Sequence, residues 1–202
     1  MPLNTLRRLL PVLLSFYLGQ MVAAPISSIE FAQEMPVPMD LQLPLLLKVL
    51  TFDRNLKSRV GKEIVIGVIY QEKFRASLLI KDEFLRVLKE LPIKDLADLP
   101  IKAKPIALGD EAILKTAIIN DSIDILYVTP LRAFEISTIQ ALAGELKVLT
   151  LTGVPEYVKS GLAVGIDTKG ERPLIIINLT QAKAEGADFS SQLLNLAKVI
   201  TN

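Results

Sequence analysis

The sequence of 202 residues contains neither cysteine nor histidine. Without cysteine there is no disulfide, no thiolate nucleophile, no cysteine-bound zinc and no lipoprotein acylation site. Without histidine, Ser-His-Asp and Cys-His arrangements are excluded, and the commonest transition-metal ligand is missing. A catalytic acid or base near neutral pH would have to be a carboxylate or a lysine with a strongly shifted pKa. We therefore expect a protein that binds rather than an enzyme, with no cofactor and no metal site.

Aromatic residues are also scarce, and the charge is nearly balanced. Only 5% of the residues are aromatic and none is tryptophan, whereas 50% are hydrophobic, so the core must be built from leucine, isoleucine, valine and alanine. One domain of this length can bury such a core without disulfides or metals. The net charge is +1, with basic and acidic residues interspersed. The absence of a basic run argues against a nucleic-acid partner.

The N-terminus has the pattern of a secretory signal peptide. Arg7 and Arg8 supply the positive start, an apolar stretch begins at Leu9, and residues 22–24 (Val-Ala-Ala) form a small-residue cleavage zone. The apolar run of about 16 residues is shorter than the ~20 needed to span a bilayer, which favours cleavage over an uncleaved N-terminal anchor. The expected parts are a signal peptide over residues 1–24, a flexible leader over 25–39 and a single periplasmic domain over 40–202.

From about residue 40, helix-like and strand-like patterns alternate, which is typical of an α/β sheet with crossover helices. Leucines at 43, 46, 47 and 50 recur at helical spacing and predict a first helix. Pro44 is compatible with this helix only in its first turn. The predicted strands are Ile64–Tyr70, Ile101–Leu108, Ile123–Val128 and Leu146–Leu151, then a hairpin of Gly161–Ile166 and Leu174–Asn178 around a turn at 167–170. The further predicted helices are Phe74–Leu91, Asp110–Ile119, Thr129–Gly144 and, interrupted near Gly186, Thr180–Ile200.

The connections between the strands determine their order. They are long enough to force parallel pairing of the first four strands, and such crossovers are right-handed. The expected order is 2-1-3-4 followed by the hairpin, with the second strand at an edge because Pro105 cannot donate a ladder hydrogen bond. The predicted fold is α/β, a Rossmann-like open, mostly parallel sheet with helices on both faces and a C-terminal antiparallel hairpin. A crevice is expected at the strand ends between strands 1 and 3, where the order reverses.

Residues just past the strand ends would line this crevice. Thr129 and Arg132 are expected at a helix N-terminus, where backbone N–H groups and a guanidinium can hold an anion or phosphate. The alternative is that Thr129 only caps the helix and Arg132 is a solvated surface residue. Glycine-rich phosphate motifs are absent, since residues 71–74 (Gln-Glu-Lys-Phe) follow the first strand. The candidate ligand-binding residues are Tyr70, Gln71, Thr129, Arg132, Thr152 and Gly153.

Asp53 and Arg54, at the end of the first helix, are a second candidate pair. They could act together in an active site, but we favour a local ion pair or a helix cap.

An ordered set of residues closes the chain. The second hairpin strand ends in Ile-Asn-Leu at 177–179, and Gly186, Ser190 and Ser191 precede Leu-Leu-Asn-Leu-Ala at 193–197. This set resembles the ending of the YfiR family. The resemblance covers residues 41–202, with distinctive residues at 145–200, and Ala187 departs from the aliphatic residue typical of the family.

The resemblance implies a small periplasmic α/β protein that acts by binding. Well-studied members of the family repress a membrane-bound diguanylate cyclase by binding its periplasmic sensor region, which lowers cyclic-di-GMP and biofilm formation. The implied partner is the periplasmic region of a membrane sensor, a diguanylate cyclase or a histidine kinase, and a homodimer is also expected. The disulfides of the family and its histidine contacts to nucleotide do not carry over, because the chain has neither residue.

A periplasmic solute-binding protein with a small ligand in the strand-end crevice is the alternative function. Cleavage after Ala24 would leave about 178 residues, which is short for two lobes of ~100 or more residues each.

Export of the chain can be checked by mass spectrometry. Because Arg7, Arg8 and the following apolar run form a signal peptide, we expect the protein in a periplasmic extract to lack its N-terminal segment up to about residue 24. A chain with an intact N-terminus in the cytosol would contradict the predicted localisation.

Overall fold

The computed structural model describes residues 35–132 and 136–201. The predicted signal peptide, residues 1–24, and most of the predicted leader lie outside the described residues. Within the described ranges the strands are β1 (Ile64–Tyr70), β2 (Asp95–Leu96), β3 (Leu99–Ala107), β4 (Ile125–Val128), β5 (Leu149–Thr152), β6 (Val164–Lys169), β7 (Arg172–Asn178) and β8 (Lys198–Ile200). The helices there are α1 (Met39–Leu50), α2 (Leu56–Arg59), α3 (Arg75–Glu90), α4 (Glu111–Asn120), α5 (Ile136–Leu146), α6 (Pro155–Lys159), α7 (Leu179–Ala184) and α8 (Ser191–Leu196).

The strands form one sheet in the order β2-β3-β1-β4-β5-β6-β7-β8. Neighbours from β3 to β6 are parallel, β6 and β7 form an antiparallel hairpin, and β8 lies parallel to β7. The predicted fold class and the predicted order of the six main strands are confirmed. The hairpin turn lies later than predicted: Asp167 and Lys169 pair as strand residues, and Gly170 makes the turn with a φ of 63°.

Strand β3 occupies the edge position that Pro105 predicts. Pro105 lies opposite Val68 of β1. Strand β2 pairs with β3 only at Leu99 and Pro100, so from Ile101 onward the outer side of β3 has no strand neighbour within the part of the chain that the structure describes. A proline is tolerated in such a strand because its missing N–H is not needed on the open side.

Strand β1 divides the core into two layers. Ile64, Ile66 and Val68 belong to the layer that contains α1 and α3, and Val65 and Ile69 belong to the layer that contains α4 and α5. All five side chains are buried. Burying an aliphatic side chain contributes roughly 1.5–3 kcal/mol, so this run stabilises both layers at once.

Helix α1 begins earlier than the sequence pattern suggests. Met39 is its first residue, and Val37 and Met39 are buried, so these last residues of the predicted leader belong to the folded domain. Pro44 therefore lies inside the helix, and its placement in the first turn was wrong. A proline there cannot donate to the carbonyl of Asp40, but the apolar face of α1 is buried in the core and outweighs that loss.

The helix predicted over Thr129–Gly144 is displaced. Residues 129–132 are not helical and α5 is described from Ile136, so the prediction that Thr129 is its N-cap was wrong. A Thr-Pro pair is a common helix start, but the Thr129 hydroxyl instead donates to the Ile69 carbonyl at 2.8 Å. Gly144 lies within α5, and Lys147, with a φ of 58°, follows the end of the helix.

The last helical stretch, predicted over Thr180–Ile200, consists of two short helices and a strand. The interruption near Gly186, which has a φ of 88°, is confirmed. Helix α8 ends at Leu196, and Ile200 lies in β8, so the prediction that the helical stretch continues to Ile200 was wrong. Leu193 of α8 is buried.

A buried carboxylate, Asp53, joins the beginning of the fold to its end. Its Oδ1 accepts the backbone N–H groups of Asn55 (3.0 Å) and Asp188 (2.9 Å), and its Oδ2 pairs with Nη2 of Arg59 at 2.5 Å. Arg54 pairs with the Asp188 carboxylate at 3.3 Å. The ion pair expected between Asp53 and Arg54 is therefore wrong, because both side chains fasten the segment that follows α7.

Glu185, a second buried carboxylate, ties the end of α7 to β5. Its Oε2 accepts the Thr150 N–H at 2.7 Å, and its Oε1 accepts the Thr150 hydroxyl and the Gln181 amide, each at 2.8 Å. Burial raises the pKa of Glu185 to about 7, although these donors and the Arg59 charge lower it. The folded chain therefore keeps this carboxyl group protonated up to near neutral pH.

Replacing Leu193 tests the packing of α8. Leu193→Ala should lower the free energy of unfolding by about 2–5 kcal/mol, because it leaves a cavity in the core. Leu196→Ala on the same helix is the control and should change it by less than about 0.5 kcal/mol, since Leu196 is exposed. Urea unfolding measures both, and equal effects would contradict the described packing.

The pH dependence of stability tests Glu185. Its pKa is about 7 in the folded chain against a usual value of 4.5, so its stabilising contribution is complete below pH 4.5 and is lost as the pH rises to 7. The loss is on the order of 3 kcal/mol. Glu185→Gln should remove this part of the pH profile of urea unfolding, and Glu171→Gln, at an exposed position, should leave it. A wild-type profile in both variants would refute the assignment.

Candidate functional site

A cleft of about 380 Å³ opens at the C-terminal ends of β1 and β3. It lies beside the point where the strand order reverses, since β1 pairs with β3 on one side and β4 on the other. Its floor and walls come from the segment after β1, the residue after β3 and the segment after β4. The lining residues are Gln71, Glu72, Lys73, Phe74, Leu108 and Arg132.

Gln71 and Arg132 bring the segments after β1 and β4 together. The Gln71 side-chain amide donates to the Arg132 carbonyl at 2.8 Å, and the Arg132 N–H donates back to Oε1 of Gln71 at 2.7 Å. The guanidinium carbon of Arg132 lies 5.1 Å from the centre of the Phe74 ring, a cation–π distance. These contacts hold the Arg132 backbone and guanidinium at the mouth of the cleft.

A chain of hydroxyl groups links the segment after β1 to α3 and to the end of β4. The Gln71 N–H donates to Ser77 Oγ at 2.9 Å, Ser77 Oγ lies 2.6 Å from Thr129 Oγ1, and Thr129 Oγ1 donates to the Ile69 carbonyl at 2.8 Å. Since the one Thr129 hydroxyl proton points at Ile69, Ser77 is the donor in the middle bond. Thr129 is thus fully engaged in joining β1, α3 and β4, and its hydroxyl faces the protein rather than the cleft.

Tyr157 of α6 fixes the segment before Arg132. Its hydroxyl accepts the Leu131 N–H at 2.7 Å and donates to the Leu131 carbonyl at 3.3 Å. Burial raises the pKa of Tyr157 to about 12, while the Leu131 hydrogen bond lowers it. The hydroxyl therefore stays protonated and can make both bonds at physiological pH.

Helix α1 covers the strand ends farther along the sheet. Thr152 is buried, and its Oγ1 bonds the Val128 carbonyl at 3.0 Å and the Val154 N–H at 3.1 Å. A Cβ on Gly153 would meet the amide group of Gln42, so this side chain of α1 packs directly against the glycine. Thr152 is bonded within the protein and Gly153 lies against Gln42, so neither residue lines the cleft.

The six candidates from the sequence therefore occupy three places. Gln71 and Arg132 line the cleft, and Tyr70 lies next to it, with Nζ of Lys81 5.0 Å from its ring centre. The others, Thr129, Thr152 and Gly153, are buried. Ligand binding by any of the six stays a prediction.

Four lining residues were missed by the sequence analysis: Glu72, Lys73, Phe74 and Leu108. Leu108 could have been predicted as a lining residue, because the expected strand order places the end of the second strand beside the end of the first. No pattern indicates that residues 72–74 turn back over the strand end. The cleft combines an ammonium, a guanidinium and one carboxylate with two apolar side chains, which suits a small ligand that has an anionic and an apolar part.

A second concavity, of about 590 Å³, lies at the opposite end of the strands. Lys104 pairs there with the Asp121 carboxylate at 2.7 Å. Burial raises the pKa of Asp124, although its carboxylate accepts the Val65 N–H at 2.9 Å. Because these charged groups already have partners, this concavity is a weaker candidate than the cleft.

Ser77→Ala tests the hydroxyl chain. The variant leaves the Gln71 N–H without its acceptor and removes the hydrogen bond that the buried Thr129 hydroxyl accepts, so we expect a loss of about 1–3 kcal/mol in urea unfolding. Hydrogen exchange should accelerate at residues 71, 129, 131 and 132. Ser160→Ala, at an exposed position, is the control and should change neither measurement. Unchanged exchange in Ser77→Ala would show that the chain does not hold the two segments.

Solved structures with a similar fold include two that span most of this chain. A domain from Streptococcus pneumoniae in complex with L-Trp matches with a TM-score of 0.54 and 13% identity, over 81% of this chain and 62% of that one. A conserved domain protein from Vibrio cholerae matches with a TM-score of 0.53 and 13% identity, over 80% and 60%. The chain thus spans about three fifths of the length of these structures. The likeness shows the α/β fold.

A comparison with curated proteins finds no match.

A family model described as YfiR/HmsC-like matches residues 68–198, from within β1 to the start of β8. The match covers about two thirds of the chain and confirms the resemblance carried by residues 177–197. It includes the hydroxyl chain and every residue that lines the cleft. The chain belongs to the YfiR/HmsC-like family.

Proposed function

We propose that this chain is a periplasmic regulator that binds the periplasmic region of a membrane sensor, represses its diguanylate cyclase activity and so lowers cyclic-di-GMP. The observation that carries the proposal is the family match over residues 68–198. At the level of the family, that match supports a periplasmic regulator of cyclic-di-GMP signalling. Repression and the identity of the partner are the parts that we propose.

The groups at the strand ends support binding rather than catalysis. The hydroxyl groups of Ser77 and Thr129, behind the strand ends, both donate their protons to hydrogen bonds within the fold. Glu185, whose pKa lies near neutrality, is fully buried and bonded to Thr150 and Gln181. A group that is buried and bonded in this way stabilises the fold and does not reach a substrate.

None of the helices in the described ranges is long and apolar enough to cross a membrane.

The signal that reaches this regulator does not pass through a disulfide in this chain. The sequence has no cysteine, so no thiol can be oxidised or reduced. We therefore expect the regulator to respond to a ligand, to a partner or to a change of protonation.

The cleft favours a second candidate function, the binding of a small solute. Its volume suits a metabolite, and Lys73 and Arg132 place two positive charges beside Phe74 and Leu108. The similar domain from Streptococcus pneumoniae is in complex with L-Trp. The two functions are separable, because a solute would depend on Arg132 whereas a protein partner depends on a few apolar or aromatic anchors.

The regulator is tested by deleting the gene in its own bacterium and measuring cyclic-di-GMP by mass spectrometry. We expect the level to rise several-fold and to return when the wild-type chain or Arg132→Ala is restored. Arg75→Ala, in an exposed residue just outside the cleft, is the matched control. An unchanged level after deletion would overturn the proposal.

Calorimetry with nucleotides, phosphate and amino acids tests the second candidate. A charge-assisted contact is worth roughly 1.5–3 kcal/mol, so a solute bound at Arg132 should lose about tenfold or more in affinity in Arg132→Ala. Micromolar binding that disappears in Arg132→Ala and survives in Arg75→Ala would favour the solute-binding function over the regulator.

A further inference from the structure

We propose that the open edge of the sheet beside β8 is the docking surface for the membrane sensor, and that it takes an extended apolar segment bordered by carboxylates. We call this surface the edge groove. It is lined by Lys169, Leu174, Leu196, Ala197 and Lys198 and encloses about 420 Å³. The inference rests on the proposed function, because it identifies where the regulator meets its partner.

The edge groove arises because β8 is shorter than its neighbour. Strand β7 runs over Arg172–Asn178, but β8 pairs only with its last three residues, Ile176–Asn178. The first part of β7 is left beside the turn that joins α8 to β8. Leu174 from β7, Leu196 at the end of α8 and Ala197 from that turn therefore face a common space.

Its apolar surface is unusually exposed. Leu196 is 68% exposed, more than any other large hydrophobic residue in the described part of the chain, and Val199 on β8 is 38% exposed. On the same short helix Leu193 is 1% exposed. Helix α8 thus places one leucine in the core and presents another to the outside at the rim of the groove. The groove therefore combines an exposed leucine with a concave surface.

The two lysines of the groove have no acidic partner in the part of the chain that the structure describes. Neither Lys169 nor Lys198 forms an ion pair with any residue of the described ranges. At the opposite edge of the sheet, Lys102 pairs with Glu63 at 2.5 Å and Lys104 pairs with Asp121 at 2.7 Å. The lysines of that edge are thus neutralised, whereas Lys169 and Lys198 are available to pair with carboxylates of another protein.

Main-chain groups add a third element of recognition. Strand β8 is the last in the sheet order, so its outer side has no strand neighbour among residues 35–132 and 136–201. An extended peptide can pair with such an edge through its backbone while its side chains enter adjacent pockets. Apolar pockets between two lysines select alternating apolar residues with aspartate or glutamate at the ends.

A second copy of this chain fits the surface poorly. Two edge grooves brought together by a two-fold axis would place Lys169 and Lys198 of one chain against the same lysines of the other. Like charges facing each other across an interface are destabilising. A different protein, with carboxylates at these positions, satisfies the lysines and covers the leucine.

Site-specific photocrosslinking in the native bacterium tests the surface with the full chain. Leu196→p-benzoylphenylalanine places the probe in the groove, and Leu79→p-benzoylphenylalanine on α3 and Ile113→p-benzoylphenylalanine on α4 are controls at similarly exposed positions. We expect the Leu196 probe to capture a membrane protein at a periplasmic segment that contains apolar residues flanked by aspartate or glutamate. The two control probes should not capture it.

Charge reversal provides a second measurement on the same adduct. The double variant Lys169→Glu/Lys198→Glu should reduce the yield at Leu196 by about tenfold, the change produced by ~1.4 kcal/mol of lost attraction. Lys62→Glu/Lys89→Glu changes the net charge equally at exposed residues elsewhere and should keep the yield.

Other adducts would overturn the inference. An adduct of twice the chain mass would make the groove a homodimer surface, and an adduct with lipid would make it a membrane contact. Capture of the membrane protein by a control probe but not by Leu196 would refute the groove and leave the proposed function standing. No capture at any position, with unchanged cyclic-di-GMP after gene deletion, would refute the proposed function itself.

Discussion

The burial of strand β1 on both faces is the constraint on which the rest of the structure depends. A strand whose side chains enter two apolar layers requires helices above and below it. The chain must therefore cross from one strand end to the next over a face of the sheet, which makes the central pairings parallel. Because parallel strands end together, the segments after β1, β3 and β4 meet at one edge. The cleft is a consequence of that meeting.

Much of this could be inferred from the sequence because strong apolar runs indicate buried strands whatever surrounds them. The run at Ile64–Tyr70 and the proline at 105 were sufficient to place the centre and one edge of the sheet. Local signals failed where a distant partner overrides them. Thr129 has the neighbours of a helix cap, yet its hydroxyl is bound by residues that are 52 and 60 positions away.

The candidate site was only partly predictable for a similar reason. The rule that ligands bind at strand ends selects Gln71 and Arg132 correctly as lining residues. The same rule selects Thr152, which is buried, and Gly153, against which the Gln42 side chain of α1 packs. Which helix covers which strand end depends on tertiary packing. No feature of residues 150–153 reveals it.

The contacts of Asp53 have a consequence for how the fold is completed. This carboxylate near the start of the domain is bonded to the backbone of Asp188, 135 positions later, and Asp53 also bridges to Phe189. A chain delivered residue by residue cannot close these contacts until nearly all of it is present, and contacts so distant in sequence are slow to form. Until then the first helix lacks its partner at the far end of the chain. The contacts that fasten the end of the first helix therefore form only after the segment at Asp188 and Phe189 has been made.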